Sequence, residues 1–143
     1  MLMRVLVING PNINMLGIRE PSIYGGKTYA DLEAYILEEA NKLGIAVSLY
    51  QSNHEGDLVD AIQNALGKSQ GILINPGAYT HTSVALHDCI RSLKTPVIEV
   101  HISNVHQREE FRHQSMISAA CKGVICGFGL DSYRLAVSAL VES

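Results

Sequence analysis

Short apolar runs alternate along the chain with longer segments whose apolar residues recur every three or four positions, the pattern of a parallel sheet covered by helices. The runs predict strands at Arg4 to Asn9, Ala46 to Gln51, Gly71 to Ile74, Val97 to His101 and Gly123 to Gly127. Helices are expected between them, at Thr28 to Leu43, Asp57 to Leu66, Thr82 or Ser83 to Ser92, and Ser132 to Val141. A shorter helical stretch around Gln107 to Arg112 joins the fourth strand to the fifth. Thr28, with Asp31 three residues on, forms a variant of the capping box that starts a helix. Lys42, Lys68, Lys94 and Lys122 each stand just before a predicted strand, the first three near a helix end where a cation complements the macrodipole. They mark the amino edge of the sheet. Lys27 alone is expected on the carboxyl edge.

The polar segments that follow the strands are the unusual part. Val5 to Ile8 runs into the long stretch Asn9 to Gly25, rich in Asn, Gly and Pro and carrying Arg19. A buried strand normally hands over to its helix within about two to six residues, so a loop of this length is read as functional. Ile72 to Ile74 runs into Asn75-Pro-Gly-Ala-Tyr-Thr-His-Thr, and Val97 to Val100 into His101-Ile-Ser-Asn. In an open α/β sheet ligands bind outside the carboxyl ends of the strands. In the doubly wound, flavodoxin-like order 2-1-3-4-5 the first, third and fourth strands are neighbours, so the three clusters meet in one crevice. The expected architecture is that five-stranded parallel sheet in three α/β/α layers, forming a single domain over residues 1–143.

Composition narrows the function classes. With 47% hydrophobic and 17% charged residues the chain is globular rather than disordered. A net charge of −3 without a basic run argues against nucleic acid. The N-terminal apolar stretch is too short for a signal sequence or a membrane span, which leads to the expectation of a soluble, cytoplasmic protein. Cys89, Cys121 and Cys126 contain no CxxC pair and read as reduced, mostly buried hydrophobes. His54, His87, His106 and His113 lack ligand spacing, so no metal site is expected. Gly127-Phe-Gly129 mimics part of a dinucleotide fingerprint but has no following strand to complete the unit. Ser52 to Gly56 shapes either a turn or an interface.

The clusters together resemble the type II 3-dehydroquinate dehydratases. The matching segments are Asn9-Gly-Pro-Asn-x-Asn-x-Leu-Gly-x-Arg-Glu-Pro-x-x-Tyr-Gly, Gln51-Ser-Asn-x-Glu-Gly, Asn75-Pro-Gly-Ala-Tyr-Thr-His-Thr-Ser, Pro96-Val-Ile-Glu-Val-His-Ile-Ser-Asn and Arg108-Glu-Glu-Phe-Arg-His-x-Ser. Their order and spacing match over most of the chain. Ile13, Tyr79 and Ile102 stand where the family often has Leu, Phe and Leu. The resemblance implies a flavodoxin-like fold, reversible dehydration of 3-dehydroquinate to 3-dehydroshikimate without a cofactor, and a homododecamer built from trimers. Whether such an enzyme serves aromatic biosynthesis or quinate catabolism is left open.

That reaction removes a proton α to a ketone and expels a β-hydroxyl as water, so it needs a base, an enolate stabiliser and an acid. The resemblance makes Tyr24 the base, acting as tyrosinate, with Arg19 and Arg112 supplying the positive charge it needs. On residues alone Tyr24 reads as a turn-packing aromatic. The resemblance makes His101 the acid for the departing hydroxyl, and Glu99, two residues earlier on the same strand face, is placed to orient or charge-stabilise its ring. Asn12 becomes the enolate stabiliser through a water held by its amide; without the resemblance it is a turn former after Pro11. Asn75, His81, the Ile102 amide, Ser103 and Arg112 match binding positions for the substrate's carboxylate and hydroxyls. A helix starting right after His81 would add free N–H groups there. Asp88, seven residues beyond His81, would share its helix face, and the resemblance sends it to a neighbouring subunit's site.

Two other classes were weighed against this. A receiver-like binding module needs acidic residues near the first strand, where this chain has Asn9, Asn12 and Asn14. A hydrolase of the α/β type needs a GxSxG elbow, and none is present.

Overall fold

The computed structural model describes residues 2–18 and 26–142. Its strands β1 (Arg4–Asn9), β2 (Ala46–Gln51), β3 (Gly71–Asn75), β4 (Val97–His101) and β5 (Gly123–Cys126) form a parallel sheet in the order β2-β1-β3-β4-β5. The helices are α1 (Tyr29–Lys42), α2 (Glu55–Asn64), α3 (Val84–Arg91) and α4 (Asp131–Glu142). The doubly wound order is therefore the one expected.

Strand alternation sends side chains to two cores. Val5, Val7, Leu73, Ile98 and Val100 pack against Leu32 and Ile36 of α1 and Tyr133, Ala136 and Leu140 of α4. Ile8, Ile72, Ile74 and Val97 pack against Leu58 and Ile62 of α2 and Leu86 and Ile90 of α3. Every residue of β3 and β4 is buried, because both sheet faces are covered there. Fully buried side chains such as Leu32, Leu58 and Ile62 each stabilise the fold by about 1.5–3 kcal/mol.

Local chemistry sets the helix starts. Thr28 accepts the Asp31 N–H at 3.1 Å while the Asp31 carboxylate accepts the Thr28 N–H at 2.9 Å, completing the expected capping box of α1. Ser83 caps α3 by accepting the Leu86 N–H at 2.9 Å.

Three expectations need correction. α2 begins at Glu55, because the Ser52 hydroxyl accepts the His54 N–H at 3.0 Å and donates to Asp57 at 2.7 Å, turning the chain early. In place of one helical stretch around residues 107–112 stand 3-10 turns at Val105–Gln107 and Glu110–Arg112. The Asn104 side chain accepts the His106 N–H at 3.1 Å and so satisfies the backbone without an α-helix. Finally, α3 does not follow His81 directly: Gly77–His81 is its own 3-10 turn, and His81 and Asp88 share no helix face.

The loops after β1 and β3 touch through their backbones. Asn9 and Asn75 are in register, and the Gly10 N–H donates to the Asn75 carbonyl at 2.7 Å. A Cβ at Gly10 would stand 2.5 Å from the Pro76 oxygen, and one at Gly77, where φ is +60°, 2.9 Å from the Pro11 oxygen. Only glycine allows both approaches. Gly10→Ala is expected to lower stability by about 1–3 kcal/mol in urea denaturation. Gly56→Ala, with nothing within 4 Å of the new Cβ and a helical backbone, should instead be neutral or stabilise by up to about 1 kcal/mol.

Candidate active site

The loop after β1 is braced by amides from the end of β2 and the turn that follows it. Gln51 Nε2 donates to the Gly10 carbonyl at 3.1 Å and to Asn53 Oδ1 at 3.1 Å, and the same Oδ1 accepts the Asn12 N–H at 3.0 Å. Asn12 is left-handed, with φ 69°, a conformation Asn tolerates better than most side chains. Within Ser52 to Gly56, Asn53 braces this loop, while Glu55 and Gly56 already belong to α2.

Below the loop lies a neutral network. Tyr133 of α4, fully buried, donates to Asn9 Oδ1 at 2.6 Å and accepts from Asn75 Nδ2 at 2.8 Å. Asn75 Oδ1 accepts the Gly77 N–H at 3.2 Å, leaving Nδ2 one further hydrogen to offer. Burial, opposed by the bond from Asn75, pushes the Tyr133 phenol above its ordinary range, so it remains protonated.

At the end of β4 the interior is charged. Glu99 is fully buried on the face that carries Val97, and its Oε2 lies 2.5 Å from His101 Nε2. Its Oε1 accepts from Ser118 at 2.5 Å and Ser115 at 3.0 Å. Burial by itself would raise the Glu99 carboxyl, but the bond from His101, the His101 charge and the two serine bonds together carry it below the usual carboxylate range.

The rim is polar and largely cationic. His81 Nδ1 lies 2.8 Å from the Gln114 carbonyl, which can only accept, so Nδ1 carries the hydrogen and Nε2 offers a lone pair. Burial lowers the His81 pKa, opposed by the Gln114 bond and reinforced by the nearby His101 and Arg112 charges, which favours this neutral form. Arg108 Nη1 reaches Ser103 Oγ at 3.4 Å, and Arg112 Nε donates to Glu109 at 2.7 Å. Ile102 is buried, its carbonyl accepting the Gly129 N–H at 3.0 Å.

Asn12, Asn75, His81, His101, Ile102, Ser103 and Arg112 therefore line one pocket, as the strand order requires. Glu99 stands behind His101. Asp88 is exposed on α3 and borders no part of this pocket. Arg19 and Tyr24 lie outside the described residues. Arg108 joins the lining without having been expected there, although it opens the segment that ends in Arg112 and Ser115. Gln51 and Asn53 were likewise not singled out, since their contacts span 41 residues of sequence. A hollow of about 680 Å³ lies along β2 and α2 and is bordered by none of the three polar loops.

Among the described residues, no three His, Cys, Asp or Glu side chains converge as a metal site would need. No helix in the same residues is long and apolar enough to cross a membrane. Cys89, Cys121 and Cys126 are free thiols, and burial pushes Cys121 up to about 12, with the Glu99 charge adding to the rise.

The dehydroquinase class II family matches over residues 3–141. A 3-dehydroquinate dehydratase of Rhizobium johnstonii is 61% identical over 140 residues, 98% of this chain and 97% of the relative. One from Clostridium acetobutylicum is 54% identical over 138 residues, 96% of each. The crystal structure of a type II dehydroquinase from Butyrivibrio crossotus superposes with a TM-score of 0.96 at 51% identity, covering 98% of both chains. That of the enzyme from Propionibacterium acnes gives 0.94 at 43% identity, with complete coverage of both.

The amide network makes a measurable demand on Tyr133. Tyr133→Phe leaves Asn9 and Asn75 each short of a buried partner and is expected to cost about 1–3 kcal/mol in chemical denaturation. Tyr29→Phe, which loses only a 3.5 Å contact with Asn9, should cost under about 1 kcal/mol.

Proposed function

The chain belongs to the class II dehydroquinase family and is a hydro-lyase that reversibly dehydrates 3-dehydroquinate to 3-dehydroshikimate; we propose that it does so through an enolate, with Tyr24 as base and His101 as acid. The observation that carries this reading is the Glu99–His101 pair at the back of a pocket whose rim is cationic. Glu99 engages Nε2 of the imidazole, which leaves Nδ1 for the substrate. With Glu99 ionised, Nε2 holds its hydrogen throughout. A second ring proton then exists only on the imidazolium, which Glu99 stabilises, and Nδ1 delivers that proton to the departing hydroxyl.

Tyr24 must ionise to act as base. A phenol of ordinary pKa about 10 is only about 0.1% ionised at pH 7, a deficit of roughly 4 kcal/mol. Arg19, five residues earlier, and Arg112 are the cations assigned to reduce it. The enolate oxygen is assigned to a water held by Asn12 beside the strand-end amides. Asn75, His81, the Ile102 amide, Ser103 and Arg112 bind the hydroxyls and carboxylate, with His81 Nε2 ready to accept from a substrate hydroxyl. A Schiff base has no part in this route. Lys27 is exposed beside Asp31, Tyr35 and Asp131, in a hollow apart from the pocket.

The same reading gives the protein a homododecameric assembly, a tetramer of trimers in which Asp88 reaches a neighbouring site. Support comes from the exposure of Asp88 on α3, turned away from its own pocket. A cytoplasmic setting also belongs to it, supported by the three free thiols, which a reducing compartment preserves.

Growth of the conjugated enone's absorbance from 3-dehydroquinate reads the activity directly. Tyr24→Phe and His101→Ala are each expected to lower kcat by about 10²–10⁴-fold while leaving the fold intact. Substantial turnover in either folded variant would remove that residue from its role. Asp88→Ala should also be inactive, yet regain activity on subunit exchange with Tyr24→Phe, up to about a quarter of sites if each draws on two chains at random. No recovery despite demonstrated exchange would confine Asp88 to its own chain.

A further inference from the structure

A carboxylate without exposure is costly to keep ionised unless hydrogen bonds replace its water. Glu99 has three side-chain donors, and two of them come from one short segment around the 3-10 turn Ser118–Ala120. Ser115 is the more constrained of the two. Its oxygen accepts the N–H groups of Ile117 at 3.2 Å and Ser118 at 3.0 Å, so both lone pairs are used. Its single hydrogen must then point at Glu99. Ser118, whose own N–H is held by Ser115, adds the second donor to the same Oε1.

We propose that Ser115 and Ser118 are positioning residues of the dehydration, holding Glu99 ionised and drawing charge off it so that His101 releases its proton to the departing hydroxyl. The proposal rests on the acid role of His101. A buried carboxylate with no other donor would grip the imidazolium proton, and could take it outright to leave a neutral pair. Two fixed hydroxyls on Oε1 make the carboxylate a weaker base while Oε2 remains free to orient the ring. Hydrogen bonds to an ionised carboxyl lower its proton affinity, in keeping with the direction found for Glu99. Other titratable groups around the pair are Cys121, beside Glu99, His81, which feels the charges of both His101 and Glu99, and Arg112, His106, His113 and Cys126, which border the same cavity of about 310 Å³. None of them bonds to Glu99 Oε1.

Ser118→Ala is the test variant, since the Ser118 hydroxyl is spent on Glu99. Removing its hydrogen bond makes the carboxylate more basic, so both limbs of the kcat–pH profile that belong to the coupled pair should move up, by about one pH unit. At pH 7 kcat should fall about tenfold with KM changed less than about threefold, and Ser118→Thr, which restores a hydroxyl, should recover most of the loss. A folded Ser118→Ala enzyme with unchanged kcat and unmoved limbs overturns the proposal. So does a loss that moves neither limb and that threonine does not repair, since packing would then explain it.

Nitrogen-15 spectra of the wild-type imidazoles provide a check that no variant's folding can obscure. His101 Nε2 should keep its hydrogen on both sides of the ring's titration; an Nε2 that loses it means Glu99 holds the proton, and the proposal fails. His101→Ala separates the two levels. Activity retained there would remove the acid role itself, whereas an inactive His101→Ala beside a wild-type-like Ser118→Ala would remove only the serine pair.

Discussion

The site depends on two peptide backbones being able to touch. Gly10 lies against Pro76 and Gly77 against Pro11, so the loops after β1 and β3 cross without side chains between them. A parallel sheet in this order makes the two strand ends neighbours, but it does not bring the following loops into contact. The glycines do. Because the loops meet, Asn12 and Asn75 border one pocket, and the braces from Gln51 and Asn53 can hold the first loop from the β2 side. Removing either glycine's freedom would separate groups that later chemistry needs within a few ångströms.

The pocket stands between two buried polar networks of opposite character. On the face covered by α1 and α4, Tyr133 ties Asn9 to Asn75 through neutral hydrogen bonds. On the face covered by α2 and α3, Glu99 places a buried carboxylate beside His101. A neutral network gives rigidity without a field, which suits residues that only have to bind hydroxyls. A charged one fixes the sign of the potential at the ring of His101, which suits a group that must give up a proton. Strand alternation separates them, since Asn75 follows the parity of Leu73 and Glu99 that of Val97.

What the sequence displays clearly is local. Strand spans came from runs of apolar residues, and the start of α1 from Thr28 and Asp31, whose bond partners are three residues apart. The errors arose where polar side chains satisfy the backbone in ways periodicity does not register. Ser52 starts α2 two residues early, Ser83 divides His81 from the helix of Asp88, and Asn104 replaces a helix with 3-10 turns. Most pocket residues were legible because they follow strand ends, a position that strand order alone brings together. Those that hold the pocket residues in place were not. Asn53 acts across 41 residues, Ser118 across 19 and Ser115 across 16, and nothing in a serine's sequence neighbours tells which carboxylate it will meet.

The charge balance of the proposed reaction explains why a carboxylate buried in β4 matters. Under the proposed roles of Tyr24 as base and His101 as acid, the resting site would hold a tyrosinate and an imidazolium, and one dehydration would leave a phenol and a neutral imidazole. The Glu99–His101 pair thereby passes from net neutral to net negative. In its neutral form the pair adds no net charge against Arg108 and Arg112, the cations that line the pocket, and these would favour ionising a phenol brought beside them. Once the proton has left, the unbalanced charge of Glu99 would act against those cations, favour a protonated tyrosine and draw a proton back toward His101. A carboxylate fixed inside β4 by three hydrogen bonds would exert this alternating field from a defined position. The same carboxylate on a surface loop would be screened by water, and base and acid would no longer be coupled through it.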